Sequence, residues 1–332
     1  MKAVRIHRYG GPEVLQLEEV PTPRCGPREV RVQVHASSVN PVDYKIRDGV
    51  QRAVVWIRRP FTPGMDLSGV VLEVGAKVKG FSVGDEVIST PSHLRQGTFA
   101  EEVVVRADEL ARKPANLTHE EAASLPLVSM TAWYCLQKSA RLQPGQSVLI
   151  QAGSGGVGTA AIQLARALGA ATVWATCSTR NLELVRALGA TPIDYTREDF
   201  RQVAKGCDVV LDSLGGAALW QAVETVRPGG HVSCITPSFP QLVERFGPYL
   251  ALPAFGAWAG WAMAKPLVTR RVTVRFVTRF AYGQTLQSLV PLMESGQLRP
   301  VIDRVFPLEA AADAYRYLET GRARGKVVLK VR

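Results

Sequence analysis

The chain has no C-x-x-C pair. Its five cysteines, Cys25, Cys135, Cys177, Cys207 and Cys234, are odd in number and far apart, which excludes a disulfide framework and a zinc knuckle. No apolar run reaches the roughly 18–20 unbroken residues of a bilayer span, so no membrane span is expected. The first residues, Met1-Lys-Ala-Val-Arg-Ile-His7, hold no signal-peptide core, and the expectation is a cytoplasmic protein. Low-complexity tracts and internal repeats are also missing. Forty Lys and Arg against 29 Asp and Glu give a net charge of +11, yet the bases are scattered and no basic run or nucleic-acid module is present. Nucleic acid is therefore not an expected partner, and a diffuse excess of this kind serves solubility and attracts anions. What remains is 332 residues, 46% hydrophobic and 21% charged, the composition of a folded protein large enough for two domains.

The most informative segment is Val148 to Gly169. A short apolar strand runs into the loop Gly153-Ser154-Gly155-Gly156-Val157-Gly158, and a helix follows with Ile162, Leu164, Ala165 and Leu168 on its apolar face. Gly153, Gly155 and Gly158 fit G-x-G-x-x-G between strand and helix, the context a dinucleotide site requires. The first glycine allows a tight turn, and the second lets backbone approach a pyrophosphate. The third lets helix and strand pack closely, while the helix N-terminus offers free N–H groups.

The next strand, Ala171–Thr176, ends where an NAD site would place an acid on the ribose 2′-hydroxyl. The chain reads Cys177-Ser178-Thr179-Arg180-Asn181 instead. A hydroxyl and a guanidinium suit a 2′-phosphate that a carboxylate would repel, so NADPH is the expected cofactor. The alternative makes Arg180 a solvated residue in the first turn of the following helix.

Along the chain, the first 120 or so residues are strand-rich. Glu29–His35 alternates apolar and polar residues, and further strands are read at Leu67–Gly75, Gly84–Ser89 and Phe99–Val105. From Thr118-His-Glu-Glu121, a capping-box start, helices take over. Strands near 147–151, 171–176, 208–212 and 230–235 then alternate with helices near 157–169, 181–189 and 216–227, which predicts a parallel, doubly wound sheet. A helix at Thr285–Ser295, another at Ala310–Glu319 and a strand at Lys326–Val331 end the chain.

The segments Ser37–Gly49, Pro63-Gly-Met-Asp-Leu-Ser-Gly69, Gly80–Glu86 and Gly97-Thr-Phe-Ala-Glu101 combine with the glycine turn, Leu188-Gly-Ala190, Ile193-Asp-Tyr195 and Gly325–Leu329. Together, over nearly the whole chain, they resemble the medium-chain dehydrogenase/reductase superfamily, in its zinc-free quinone oxidoreductase branch. The resemblance implies an α/β fold with a Rossmann domain and a GroES-like β-barrel domain. It divides the chain into a catalytic domain at 1–122, a nucleotide-binding domain at 123–279 and a return to the catalytic domain at 280–332. It also implies a homodimer, with the nicotinamide in an interdomain cleft.

Relatives that oxidise alcohols hold a catalytic zinc. Here Asn40 and Leu127 stand where ligand cysteines would be expected and Met65 where a histidine would be, and these side chains cannot form an open N/S-ligand zinc site. Without a Lewis acid, hydride addition to an enone or quinone is the more accessible chemistry, because its charge moves to an oxygen that hydrogen-bond donors can hold. Asn40 could bind or orient a substrate carbonyl or the nicotinamide ribose. Tyr44 and Lys45 are candidate proton donors, or face water, and water itself could protonate the product. Asp43 reads equally as a turn or cap residue.

By resemblance, Thr131 approaches the nicotinamide and Tyr195 joins Ser178 and Arg180 at the 2′-phosphate. Ser213, Leu214 and Ile235 border the ribose and nicotinamide. Lys326 sits near the cofactor phosphates, or is a strand-edge charge. The five histidines form no ligand pair at helix spacing, and His93 alone is placed where it could border substrate.

The reading is an NADPH-dependent reductase of quinones or α,β-unsaturated carbonyl compounds. An enoyl-thioester reductase and a non-catalytic NADPH-binding sensor are the rivals. The apolar stretch Tyr249–Ala264, broken by Pro253 and two glycines, leaves three readings: a buried helix or dimer contact, a lid over the substrate, or an interfacial anchor.

Overall fold

The computed structural model describes all residues except 53–54, 56, 237–238 and 278–281, and, for side chains, also except 239–241, 244 and 248–249. The chain divides into two units. Unit 1 comprises Met1–Leu127, Phe280–Gly296 and Pro300–Arg332, and unit 2 comprises Val128–Arg279 and Gln297–Arg299.

Unit 1 is built on the eleven-residue strand β3 (Glu29–Val39). Its period-2 pattern puts Val30, Val32, Val34 and Ala36 wholly inside. Around it lie β4 (Leu67–Val74), β5 (Glu86–Ser89), β6 (Glu102–Arg106) and β7 (Leu110–Arg112), with β14 (Ile302–Pro307) and β15 (Lys326–Lys330) arriving from the chain end. The sheet order is β14-β15-β3-β4-β5-β7, with β6 also paired to β3. Irregular register between β3 and β4 bends the sheet. β1 (Lys2–Ile6) and β2 (Leu15–Glu19) form a separate antiparallel pair. Helix α1 (Pro41–Arg47) follows β3 directly, and α2 (His119–Ala123) begins with Thr118 and Glu121 in the predicted capping box. Helices α9 (Gly283–Glu294) and α10 (Ala311–Glu319) complete the unit.

Unit 2 holds a six-stranded, wholly parallel sheet in the order β10-β9-β8-β11-β12-β13. Its strands are β8 (Ser147–Ile150), β9 (Thr172–Cys177), β10 (Thr191–Asp194), β11 (Cys207–Asp212), β12 (Val226–Cys234) and β13 (Thr273–Phe276). The helices α3 (Pro126–Trp133, which begins in unit 1), α4 (Gly156–Ala167), α5 (Leu182–Ala187), α6 (Phe200–Val203) and α7 (Gly216–Thr225) alternate with them. This is the doubly wound sheet that the alternation predicts. β1, β2, β7, β10, β13 and β14 were not among the predicted strands: each has six residues or fewer, too few for periodicity to mark it.

Residues Phe239–Arg270 form helix α8, interrupted at Gly247 by a left-handed φ of 75°. It covers the apolar stretch read from sequence, of which the Tyr249 side chain lies outside the described residues. Trp258 packs with Phe276 against the core of the unit, whereas Leu250, Leu252, Trp261 and Met263 face solvent. Of the first reading, a buried helix or dimer contact, the buried helix is corrected, since one flank of α8 is covered within the chain and the other is not.

Candidate functional site

In unit 2 the strand order reverses between β8 and β11, and an open α/β sheet offers its ligand crevice at the carboxyl ends beside such a point. The glycine loop leaves β8 there. A Cβ on Gly153 would lie 2.6 Å from the Ala175 Cβ, and one on Gly158 would lie 2.3 Å from the Ala152 carbonyl oxygen. Both glycines are therefore needed for strand and helix to pack. Gly155 differs: a Cβ there meets nothing nearer than 3.4 Å, so no protein atom fills the space beside it. It is the N-cap of α4, whose first turn includes Gly156, Val157 and Gly158 and lacks preceding carbonyls to bind its N–H groups. An open approach to a helix N-terminus fits a dinucleotide pyrophosphate.

The neighbouring strand ends carry the remaining candidates. Ser178 follows β9 and, with Ser154, accepts a hydrogen bond from the Asn181 amide, at 3.2 and 2.9 Å. The Asn181 Oδ1 is buried without a partner, and sequence reasoning did not single this residue out. Arg180 is exposed on the short 3-10 turn Thr179–Asn181. Tyr195, 60% exposed, is tied by its N–H to the Cys177 carbonyl, so register brings it beside the Ser178 turn. Asp194 also reaches this turn. Its carboxylate accepts from the Thr179 and Thr196 hydroxyls, which hold its pKa below the usual range.

After β11, the Ser213 hydroxyl donates to the Gln151 carbonyl, and the N–H groups of Leu214 and Gly215 donate to Asp212. Ile235 follows β12 with its N–H on the Asp212 carbonyl. Thr131 is half-buried on α3.

In unit 1 the candidates Asn40 and Lys326 meet. Pairing of Val327 with Val39 sets Lys326 against the end of β3. Its buried ammonium donates to the Asn40 side-chain carbonyl and, at 3.2 Å, to the Val39 carbonyl, and lies 3.4 Å from the Asp66 carboxylate. The Asn40 amide in turn donates to Asp66 at 2.8 Å and to the Ser38 carbonyl at 3.2 Å. Ser38 Oγ and the Leu127 N–H complete the set of donors around Asp66. Two expectations are corrected here. Asn40, 1% exposed, does not present a free amide, because a buried cation and carboxylate require its polar atoms. Lys326 is not a strand-edge charge, because β15 lies between β14 and β3.

Asn40, Asp66 and Leu127 are thus brought together, with Met65 next in chain to Asp66 and wholly buried. Three of these four are the positions where zinc ligands would be expected. Among the described residues, no group of three or more His, Cys, Asp or Glu could hold a metal ion. Asp66 was missed by sequence reasoning, which lacked the register that joins it to Lys326.

Asp43 caps α1, its carboxylate accepting from the Asn40 N–H at 2.8 Å. Its second oxygen is buried without a partner, and burial pushes its pKa up to about 7. Tyr44 packs against the core of unit 1, and burial raises the pKa of its phenol. Burial lowers the Lys45 pKa, so its ammonium gives up a proton more readily.

The histidines are mostly satisfied. His231 contacts Ser139 at 2.9 Å, and burial takes its pKa down to about 4. His119 contacts Ser68 and Glu86 and stacks at 4.2 Å on His35, a pairing across 84 residues that helix spacing could not reveal. Four of the five cysteines are buried, with the thiol pKa values of Cys177 and Cys207 pushed up to about 11, so they act as packing residues.

Comparison with known proteins agrees with this architecture. Residues 26–115 match the family described as alcohol dehydrogenase GroES-like domain, and residues 188–329 that described as zinc-binding dehydrogenase. The chain is 37% identical to "NAD(P)H oxidoreductase RTN4IP1, mitochondrial" of Mus musculus over 100% of its own length and 89% of the relative's. It is likewise 37% identical to the "NADPH-dependent alkenal/one oxidoreductase, chloroplastic" of Arabidopsis thaliana, covering 99% and 79%. The quinone oxidoreductase of Coxiella burnetii superposes with a TM-score of 0.87 at 33% identity, covering 100% and 99% of the two chains. The chain belongs to the medium-chain dehydrogenase/reductase superfamily of oxidoreductases, within its zinc-free quinone oxidoreductase-like branch.

Proposed function

We propose that the protein is a zinc-independent, NADPH-dependent reductase of quinones or α,β-unsaturated carbonyl compounds. The observation that carries the reading is the Ser178–Arg180 turn beside the glycine loop, with Tyr195 adjacent and no acid within residues 177–181. Ser178, Arg180 and Tyr195 would hold the 2′-phosphate, and the loop Gly153–Gly158 the pyrophosphate. Thr131, Ser213, Leu214 and Ile235 would border the ribose and nicotinamide. A bound reduced nicotinamide supplies the hydride. The names of the relatives, an alkenal/one oxidoreductase and a quinone oxidoreductase, support conjugated carbonyl acceptors.

When negative charge moves onto an acceptor oxygen, a nearby donor stabilises it and a proton must follow. Lys45 is the better donor of the two candidates, because desolvation makes its ammonium more acidic while making the Tyr44 phenol less so. Asn40 enters as a positioning residue that fixes Lys326 and Asp66 at the start of α1. β13 ends its sheet in the order of the described strands, and an open parallel-sheet edge invites pairing with a second copy, which supports a homodimer.

A panel of quinones, enals, enones and enoyl-CoAs, read by NADPH oxidation, tests the function. Turnover of quinones or enones is expected. Selective saturation of crotonyl-CoA would assign a thioester reductase, and tight NADPH binding with no turnover a sensor.

A further inference from the structure

Between Phe246 and Ala264, α8 carries no charged residue. One flank is covered: Ala251, Ala259 and Ala262 are buried, and Trp258 packs on the sheet core. The other flank is open. Leu250, Trp261 and Val268 are 67%, 50% and 81% exposed. At about 100° per residue they fall within a narrow line along the helix, with the exposed Ala257 and Ala264 within about 40° of it. A continuous apolar strip in water calls for an occupant.

Charge distinguishes among the occupants. The charge-free run has Arg245 at one end and Lys265, Arg270 and Arg271 at the other. No Asp or Glu occurs from Arg245 to Met293. A second copy laid on the same face would set bases against bases with no acid in the segment to pair them. An anionic lipid surface supplies the missing opposite charge while taking up the apolar line. The Lys265 ammonium lies over the Trp220 and Trp261 rings, 5.5 and 4.8 Å from their centroids. This contact holds a base at the edge of the apolar line, within reach of whatever covers Trp261. Among the described residues, no helix is long and apolar enough to cross a membrane, so the contact lies in the headgroup plane.

We propose that α8 docks the protein on an anionic lipid bilayer, burying the Leu250–Trp261–Val268 line among the headgroups. The test is co-sedimentation of the full chain with vesicles of equal parts phosphatidylglycerol and phosphatidylcholine, and with phosphatidylcholine alone. Binding to the anionic vesicles, weakened by salt, is expected. Leu250→Ser/Val268→Ser should lose at least about tenfold in partition. Arg270→Gln/Arg271→Gln should lose about thirtyfold, from roughly one headgroup interaction per base. Lys77→Gln/Lys79→Gln, the same charge change on the turn between β4 and β5, should retain binding, and all three variants should keep NADPH oxidation in vesicle-free buffer.

Absence of wild-type binding would overturn the proposal. So would equal losses in the two charge variants, which would mean that net charge alone attracts the protein. A fall in oligomer mass in Leu250→Ser/Val268→Ser, without a change in lipid partition, would assign the face to contacts between copies.

Discussion

At the scale of single residues, the proposed preference for NADPH rests on Arg180. A guanidinium on a 2′-phosphate makes a charge-assisted contact of about 1.5–3 kcal/mol. Arg180→Ala should therefore raise the Michaelis constant for NADPH roughly ten- to a hundredfold while leaving that for NADH nearly unchanged. Steady-state kinetics with both cofactors decides it, and a uniform loss would remove Arg180 from the phosphate. Asp43 makes a second prediction. Its pKa is about 7 in the folded protein against an ordinary 3.8, so between these values the folded state holds a proton that the unfolded chain has released. Folding stability due to this group is greatest below about pH 4 and falls as pH rises toward 7, by up to about 1.4 kcal/mol per unit. Asp43→Asn keeps a cap acceptor for the Asn40 N–H and removes the charge. Thermal melts from pH 5 to 8 should show a flatter dependence in the variant than in wild type. An identical slope would show that Asp43 is ionised throughout.

At the scale of elements, the β8–α4 turn separates two uses of glycine that the motif alone merges. Gly158→Ala places a methyl group 2.3 Å from the Ala152 oxygen and should destabilise the protein by about 1–3 kcal/mol through overpacking. Gly155→Ala has room and an extended backbone, with φ −81° and ψ 173°, so its melting temperature should stay close to wild type. Its affinity for NADPH should nevertheless fall, because the methyl group would occupy the proposed pyrophosphate approach. Calorimetric melting and fluorescence titration of NADPH separate the two. Loss of stability in Gly155→Ala with unchanged affinity would reverse the assignment. Helix α8 illustrates an element whose existence is local but whose role is not: apolar residues over its length predict burial, and the folded sheet has room for one flank only.

At the scale of the whole molecule, membership in a superfamily with zinc-dependent branches makes metal removal informative. Asn40, Met65 and Leu127 supply none of the donors that an open catalytic zinc site needs. Instead, Lys326 brings a positive charge to Asn40 and Asp66. Quinone or enone reduction should persist after exhaustive chelation, and metal analysis of the active protein should find no stoichiometric zinc. Activity abolished by chelator and restored by zinc would overturn the zinc-free assignment for this chain.

The dinucleotide half of the candidate site was legible in the sequence because its information is local. A strand, a glycine loop and a helix within 22 residues impose their own geometry, and the side chain at the end of the next strand follows by chain length. The doubly wound sheet was legible for the same reason, since each βα unit announces itself by periodicity. The polar cluster of unit 1 was not. Asn40 and Lys326 are 286 residues apart, and only the antiparallel register of β15 on β3 makes one the partner of the other. Register likewise decides that Asp66 lies against both and that Asn40 has no free amide, while the packing of helix α2 on β3 brings His119 against His35. Solvent exposure of the Leu250–Trp261–Val268 line is a tertiary outcome too. Hydropathy measures a residue's preference for burial, while the packing of the other elements determines whether a surface exists to satisfy it.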